Sequence, residues 1–225
     1  MFSVAIDGPA GAGKSTVARA AALRTGMIYV DTGALYRAIA LHMLQAKIDP
    51  ADALQVVPAL SAIKVELSYV EGRQRVFLNG EDVSEKIRTP EVSMATSAVS
   101  AIPQVREYLM ETQRGMAEKY HVVMDGRDIG TVVLPNAPLK IFLTASPEVR
   151  AKRRYEELSA KGAPQNYEQV LAEVIQRDYN DSHRKAAPLK QAEDAVLLDT
   201  SNLTLEQSIA ELVELIHNRR METQQ

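Results

Sequence analysis

Eight residues, Gly8-Pro9-Ala10-Gly11-Ala12-Gly13-Lys14-Ser15, have the types and the spacing needed to hold a polyphosphate. They match the pattern G-x-x-x-x-G-K-[ST], with Thr16 directly behind. Glycines at 8, 11 and 13 let the backbone curl until successive N–H groups face one anion. Lys14 adds a point charge for the β- and γ-phosphates, and the Ser15 hydroxyl suits Mg²⁺. The stretch therefore predicts binding of a nucleoside triphosphate. Three later stretches gather arginines and carboxylates: Asp31-Thr-Gly-Ala-Leu-Tyr-Arg37, Asp125-Gly-Arg-Asp-Ile-Gly-Thr131 and Arg177-Asp-Tyr-Asn-Asp-Ser-His-Arg184. Arginine outnumbers lysine, 16 to 10, and arginine is the residue suited to a two-pronged phosphate grip. Arg177, Asp181 and Arg184 are spaced i, i+4, i+7 and are expected to share one helix face.

The elements that must position these residues read as alternating strands and helices. Phe2–Ile6 is a short apolar run of strand length. Behind the phosphate loop, Val17, Ala18, Ala21, Ala22 and Thr25 mark one face of a helix beginning near Lys14. That helix presents its positive end to the same anion. Met27–Val30 reads as a second strand, and Asp31 or Thr32 as the cap of a helix with Leu35, Ile39 and Met43 on its apolar face. Arg37 lies in the early turns of that helix, where it suits an anion site. Pro50 and Pro58 bracket a short helix around Asp52–Leu60. Ile63–Val70 and Gln74–Leu78 then alternate, with turns at Glu71-Gly72 and Asn79-Gly80, which predicts a β-hairpin. From Pro90 to Tyr120 the pattern is helical, and Pro103 starts a new helix. His121–Asp125 and Leu139–Thr144 read as buried strands, and loops at the carboxyl ends of such strands place Asp125, Arg127 and Asp128 near the phosphate loop. Ser146 opens a helix carrying Arg150, Arg153 and Arg154. Residues 159–166 are a connector, and a helix from about Tyr167 to Ser182 follows. Ala195–Asp199 is the last strand and Thr204–Arg219 the last helix.

Composition narrows the class. A chain of 225 residues is expected to form one domain, with a small antiparallel insert on an α/β core. There is no cysteine, which excludes disulfides, thiolate catalysis and Cys-ligated zinc. No run approaches the ~18 apolar residues of a membrane span and no leader is read before the first strand, so a cytoplasmic chain is expected. A net charge of −3 argues against nucleic-acid binding.

Taken together, Ile6–Thr16, Asp31–Arg37, Asp125–Thr131 and the Arg177–Arg184 segment resemble the bacterial cytidylate kinases, a group within the nucleoside monophosphate kinases. The likeness runs from about residue 2 to 217. It implies a three-layer P-loop α/β fold: a mostly parallel sheet with helices on both faces, a small antiparallel β insert and a mobile lid. Within a single domain, 1–45, 91–145 and 185–220 would form the core, 46–90 the monophosphate-binding insert and 146–184 the arginine-bearing lid. The implied reaction is ATP-dependent phosphorylation of CMP and dCMP, with Mg²⁺, in a monomer. Gly8–Thr16 would hold ATP, with Ser15 on the metal. Arg37 and Arg127 would hold the phosphate of CMP, lined by Thr32 and Tyr36. Ser97, Arg106 and Asp128 would read the cytosine edge, and Arg177, Asp181 and Arg184 would sit over the sugar and the transferring phosphoryl group. Lys14, Arg127, Arg154 and Arg177 would be catalytic, Arg154 acting from the lid with Arg153 or Arg150 as the next choice.

Three alternatives compete. The phosphate loop alone fits a sibling kinase acting on UMP, AMP or shikimate. A regulatory GTPase would need an N-K-x-D motif, which is absent. An ATP-driven nucleic-acid remodeller conflicts with the acidic balance. The choice of base rests on Asp128 with Arg106 and Ser97. A carboxylate accepts from the cytosine N4 amino group, whereas a guanidinium donates to N3 and O2 and opposes the N3–H of uracil.

Overall fold

The computed structural model describes residues 1–70, 73–160, 162 and 166–223. In chain order its elements are β1 (Ser3–Asp7), α1 (Lys14–Thr25), β2 (Ile28–Asp31), α2 (Thr32–Gln45), α3 (Ala53–Ala59), β3 (Val65–Val70), β4 (Arg73–Leu78), β5 (Glu81–Asp82), α4 (Pro90–Ser100), α5 (Pro103–Lys119), β6 (Val122–Asp125), β7 (Leu139–Thr144), α6 (Pro147–Ala160), α7 (Tyr167–His183), β8 (Val196–Asp199) and α8 (Leu205–Glu222). A π-helical turn at Ile129–Val133 follows β6. The chain packs as two compact units, Met1–Tyr29 with Tyr120–Gln225, and Val30–Lys119. The turn expected at Glu71-Gly72 lies outside the described residues, as do residues 161 and 163–165 of the expected connector.

The larger sheet has five strands in the order β2-β6-β1-β7-β8, of which β6, β1, β7 and β8 lie wholly in the first unit. β1 pairs in parallel with β6 and with β7, and β7 in parallel with β8, with helices on both sides of the sheet. β1, β6 and β7 are short and almost wholly apolar because both of their faces are covered. Alternate β1 residues serve opposite faces. Val4 and Ile6 join one apolar cluster with Val17, Ala18 and Ala21 of α1, Ile141 and Leu143 of β7, and Leu212 and Ile216 of α8. Burying each such side chain contributes about 1.5–3 kcal/mol. Parallel strands bring their carboxyl ends to one edge, so Asp7, Asp125 and Thr144 end there together.

The second unit has its own apolar cluster around α2, whose Leu35, Ile39 and Met43 are fully buried. Against it pack Val92 and Val99 of α4, Val105 and Leu109 of α5, and Val76 and Leu78 of β4. The small sheet is antiparallel, in the order β3-β4-β5, and pairs Val65 with Leu78 and Leu67 with Val76. Its second turn uses Asn79 and Gly80, both at positive φ (51° and 84°), the backbone that a two-residue hairpin requires. Among the described residues no helix is long and apolar enough to cross a membrane.

Candidate active site

The phosphate loop depends on one glycine more than the others. At Gly8 φ is +150°, and a Cβ there would stand 1.9 Å from the carbonyl oxygen of Leu143, the residue before the end of β7. Only a hydrogen fits. Gly13, at φ 87°, caps α1 in the left-handed region, and its carbonyl accepts from the Thr16 and Val17 amides. Lys14 is buried, at 5% exposure, and its Nζ donates to the Pro9 carbonyl at 2.8 Å. Burial, followed by the nearby Arg127 charge, holds its pKa below the ordinary lysine value. The loop thus carries a buried lysine folded back onto its own backbone.

Three carboxylates converge at the strand ends. Asp125 accepts from Ser15 Oγ at 2.9 Å and from the Tyr29 hydroxyl at 2.8 Å. The loop hydroxyl and the β6 carboxylate are therefore joined, as their expected nearness requires. Asp7, only 4% exposed, accepts from the amides of Ile129 and Gly130, each at 2.7 Å. Burial pushes its carboxyl up to about 6, a rise partly offset by those two amides. Asp128, equally buried, has an oxygen 4.0 Å from Arg184 Nη2.

Arginines surround this group. Arg127 Nε bonds Asp181 at 2.9 Å, and Nη1 donates to the Gly126 carbonyl. Burial pushes Asp181 up, but Arg127, Arg177 and Arg184 outweigh it and hold the carboxyl below its usual value. Arg184 therefore joins Arg177 and Asp181, though not by sharing their helix face. It is the extended residue capping α7, with ψ at 144°, so helical spacing does not apply to it. Arg150 is 2% exposed and is gripped on three sides: two bonds to Asp178 (2.9 and 2.5 Å), one to the Ala145 carbonyl (2.8 Å) and one to the Ala10 carbonyl of the phosphate loop (3.1 Å). Arg153 reaches the Ala12 carbonyl at 3.4 Å and the Thr200 carbonyl at 2.9 Å. Arg154 lies on the exposed side of α6 and pairs with Glu157 at 3.0 Å. Arg177 is exposed.

The second unit carries the rest of the expected residues. Asp31 caps α2 by accepting from the Ala34 amide, as its place before that helix predicts. Its carboxylate also pairs with Arg37 at 2.7 Å and Arg88 at 3.3 Å. Arg37 Nε is buried without a hydrogen-bond partner among the described residues, a donor suited to an incoming anion. Gln74 of β4 clamps the Asp31 backbone, its Oε1 accepting from the amide at 2.8 Å and its Nε2 donating to the carbonyl at 3.2 Å. Thr32 and Tyr36 are buried. Arg106, also buried, has its guanidinium 5.4 Å from the Tyr36 ring centroid and donates to the Ser100 carbonyl. Ser97 is exposed on α4.

Sequence reasoning passed over Asp7, Tyr29, Arg88, Gln74 and Asp178. Asp7 had a readable signal, a carboxylate closing a wholly apolar strand. Gln74 and Asp178 had none, because their partners lie far away in the chain.

Known proteins resemble the chain over nearly its whole length. Residues 4–218 match the family model described as cytidylate kinase. A cytidylate kinase of Caldicellulosiruptor bescii is 52% identical over 216 residues, 96% of each chain. One of Mycobacterium leprae is 54% identical over 217 residues, again 96% of each. The solved structure of an uncharacterized protein from Eubacterium ventriosum shares the fold, with a TM-score of 0.51 at 11% identity over 96% of this chain and 99% of that one. Because these matches take in both units and every stretch from which the site was built, the chain belongs to the cytidylate kinase family.

Proposed function

We propose that the protein transfers the γ-phosphoryl group of ATP to CMP, and also to dCMP. The reading is carried by the hydrogen bond of Ser15 to Asp125, which joins the phosphate loop to the strand leading into Arg127 and Asp128. In the reaction an oxygen of the CMP phosphate attacks the γ-phosphorus in line. The bond to the β,γ-bridging oxygen breaks, and CDP and ADP leave. The acceptor is already ionised, so no general base is required. The protein's task is alignment, charge neutralisation and exclusion of water.

Each residue's part follows from its chemistry. The Gly8–Thr16 amides and the positive end of α1 bind the ATP phosphates, and Lys14 turns from the Pro9 carbonyl to the β- and γ-oxygens. Ser15 and Asp125 offer a hydroxyl and a carboxylate, hard oxygen donors that fit Mg²⁺. When bound, that ion neutralises phosphate charge. Arg37 and Arg127 grip the CMP phosphate, with Thr32 and Tyr36 beside it. Ser97, Arg106 and Asp128 read the base, while Arg177, Asp181 and Arg184 serve the sugar and the moving phosphoryl group. Arg154 completes the charge on the 146–184 lid. The enzyme works as a cytoplasmic monomer on these small substrates, without nucleic acid.

The test is ADP release measured against a panel of CMP, dCMP, UMP, AMP and shikimate. CMP and dCMP are expected to lead UMP by about 10²-fold in kcat/KM, since mispaired buried polar groups cost roughly 1–3 kcal/mol each. Equal rates on UMP or AMP would sink the reading.

A further inference from the structure

An aspartate in front of a helical turn ordinarily spends its own carboxylate on that turn, accepting from the first free amides. Asp128 stands in that position before the π-helical turn Ile129–Val133, at φ −147° and ψ 27°, yet makes no side-chain cap hydrogen bond. The cap comes from elsewhere in the chain. Both oxygens of Asp7, at the end of β1, take the Ile129 and Gly130 amides at 2.7 Å. Asp7 is 4% exposed, so the exchange is sealed from water and both partners are fixed by strands and turn. The Asp128 carboxylate is thereby kept off the amides of its own turn, with an oxygen 4.0 Å from Arg184.

We infer that Asp7 is a positioning residue for base selection: it caps the Ile129–Val133 turn in place of Asp128 and so holds the Asp128 carboxylate toward the substrate base. This rests on the proposed reading of cytosine by Asp128 and adds what keeps that group in place. Asparagine at position 7 has the right shape but one acceptor too few, and its amide NH₂ would face a turn N–H. The Asp128 carboxylate, directly before that turn, would then swing back into the ordinary cap and leave the base.

The test compares Asp7→Asn, Asp128→Asn and Gly130→Ala in the full-length enzyme. The third disturbs the cap while leaving the Asp7 carboxylate in the sequence, because a Cβ at Gly130 would press on Asp7 Oδ2 at 3.3 Å and on Lys140 Cδ at 3.2 Å. It keeps the question answerable if Asp7→Asn fails to fold. The expected result is a CMP:UMP ratio of kcat/KM narrowed by about tenfold or more in all three, the effect of losing one base contact. KM for ATP should change less than the CMP:UMP ratio does, since none of the three substituted positions belongs to Gly8–Thr16. A crystal structure of Asp7→Asn should show the Asp128 carboxylate on the Ile129 or Gly130 amide. A narrowed ratio in Asp128→Asn beside an unchanged ratio in the other two, with only their melting temperatures lowered, overturns the inference and leaves the base reading standing. An unchanged ratio in Asp128→Asn overturns both.

Discussion

Lys14 is the residue whose chemistry depends most on its surroundings. In the free enzyme it is buried beneath the loop, and burial together with Arg127 favours its neutral form. Phosphate oxygens reverse that balance by favouring the ammonium. Above its lowered pKa, Lys14 should take up a proton as ATP binds, so ATP affinity should weaken as pH rises. Titration calorimetry at about pH 8, in buffers of different ionisation heat, should show net proton uptake that Lys14→Ala removes. Identical proton counts in the two proteins would refute this role. Other parts of the site are less visible at this scale. The loop motif, Arg37 and Asp128 could be picked out by type and spacing, whereas Asp7 acts through amides more than a hundred residues away.

The element that separates fold from chemistry is α6. Its run Arg150-x-x-Arg153-Arg154 looks uniform in sequence, yet each arginine has a different setting. Arg150 ties α6 to α7 through Asp178 and to the phosphate loop through the Ala10 carbonyl. Arg154, among the described residues, makes an exposed i, i+3 pair with Glu157. Arg150→Ala should therefore cost about 1.5–3 kcal/mol of stability, the range for losing charged hydrogen bonds. Arg154→Ala should change stability by no more than about 0.5 kcal/mol, and its effect should fall on turnover, by up to about 10³-fold if it supplies transition-state charge. Thermal melts and steady-state rates on both variants decide the matter. A turnover loss below about threefold for Arg154→Ala would mark a solvated helix face rather than a charge-stabilising arginine. The π-helical turn was likewise beyond sequence reading, because it is capped from β1 rather than by its own residues. The extrapolated face of α7 failed at Arg184 for the opposite reason: the period continues on paper after the helix has ended.

At the scale of the whole chain, the alternation of apolar strands and amphipathic helices was legible almost throughout. Leu139–Thr144 is a strand with the bounds its apolar run implied, and Pro103 opens α5 as its fixed φ favours. Hydrophobic period is a local signal and survives without knowledge of partners. What it does not carry is which apolar faces share a core, since that depends on contacts between distant segments. The two clusters, one around β1, α1 and α8 and the other around α2, share no residue.

That separation has a consequence for how the molecule responds to heat. Two cores without common members should melt as two cooperative units, a departure from all-or-none unfolding. The phosphate loop lies entirely in the unit built on β1, so a non-hydrolysable ATP analogue stabilises that core first by mass action, about 2.7 kcal/mol at a hundredfold excess over its Kd. Scanning calorimetry should resolve two overlapping transitions, of which the analogue raises one and leaves the other near its starting temperature. A single transition that the analogue moves as a whole would mean that the two cores melt together.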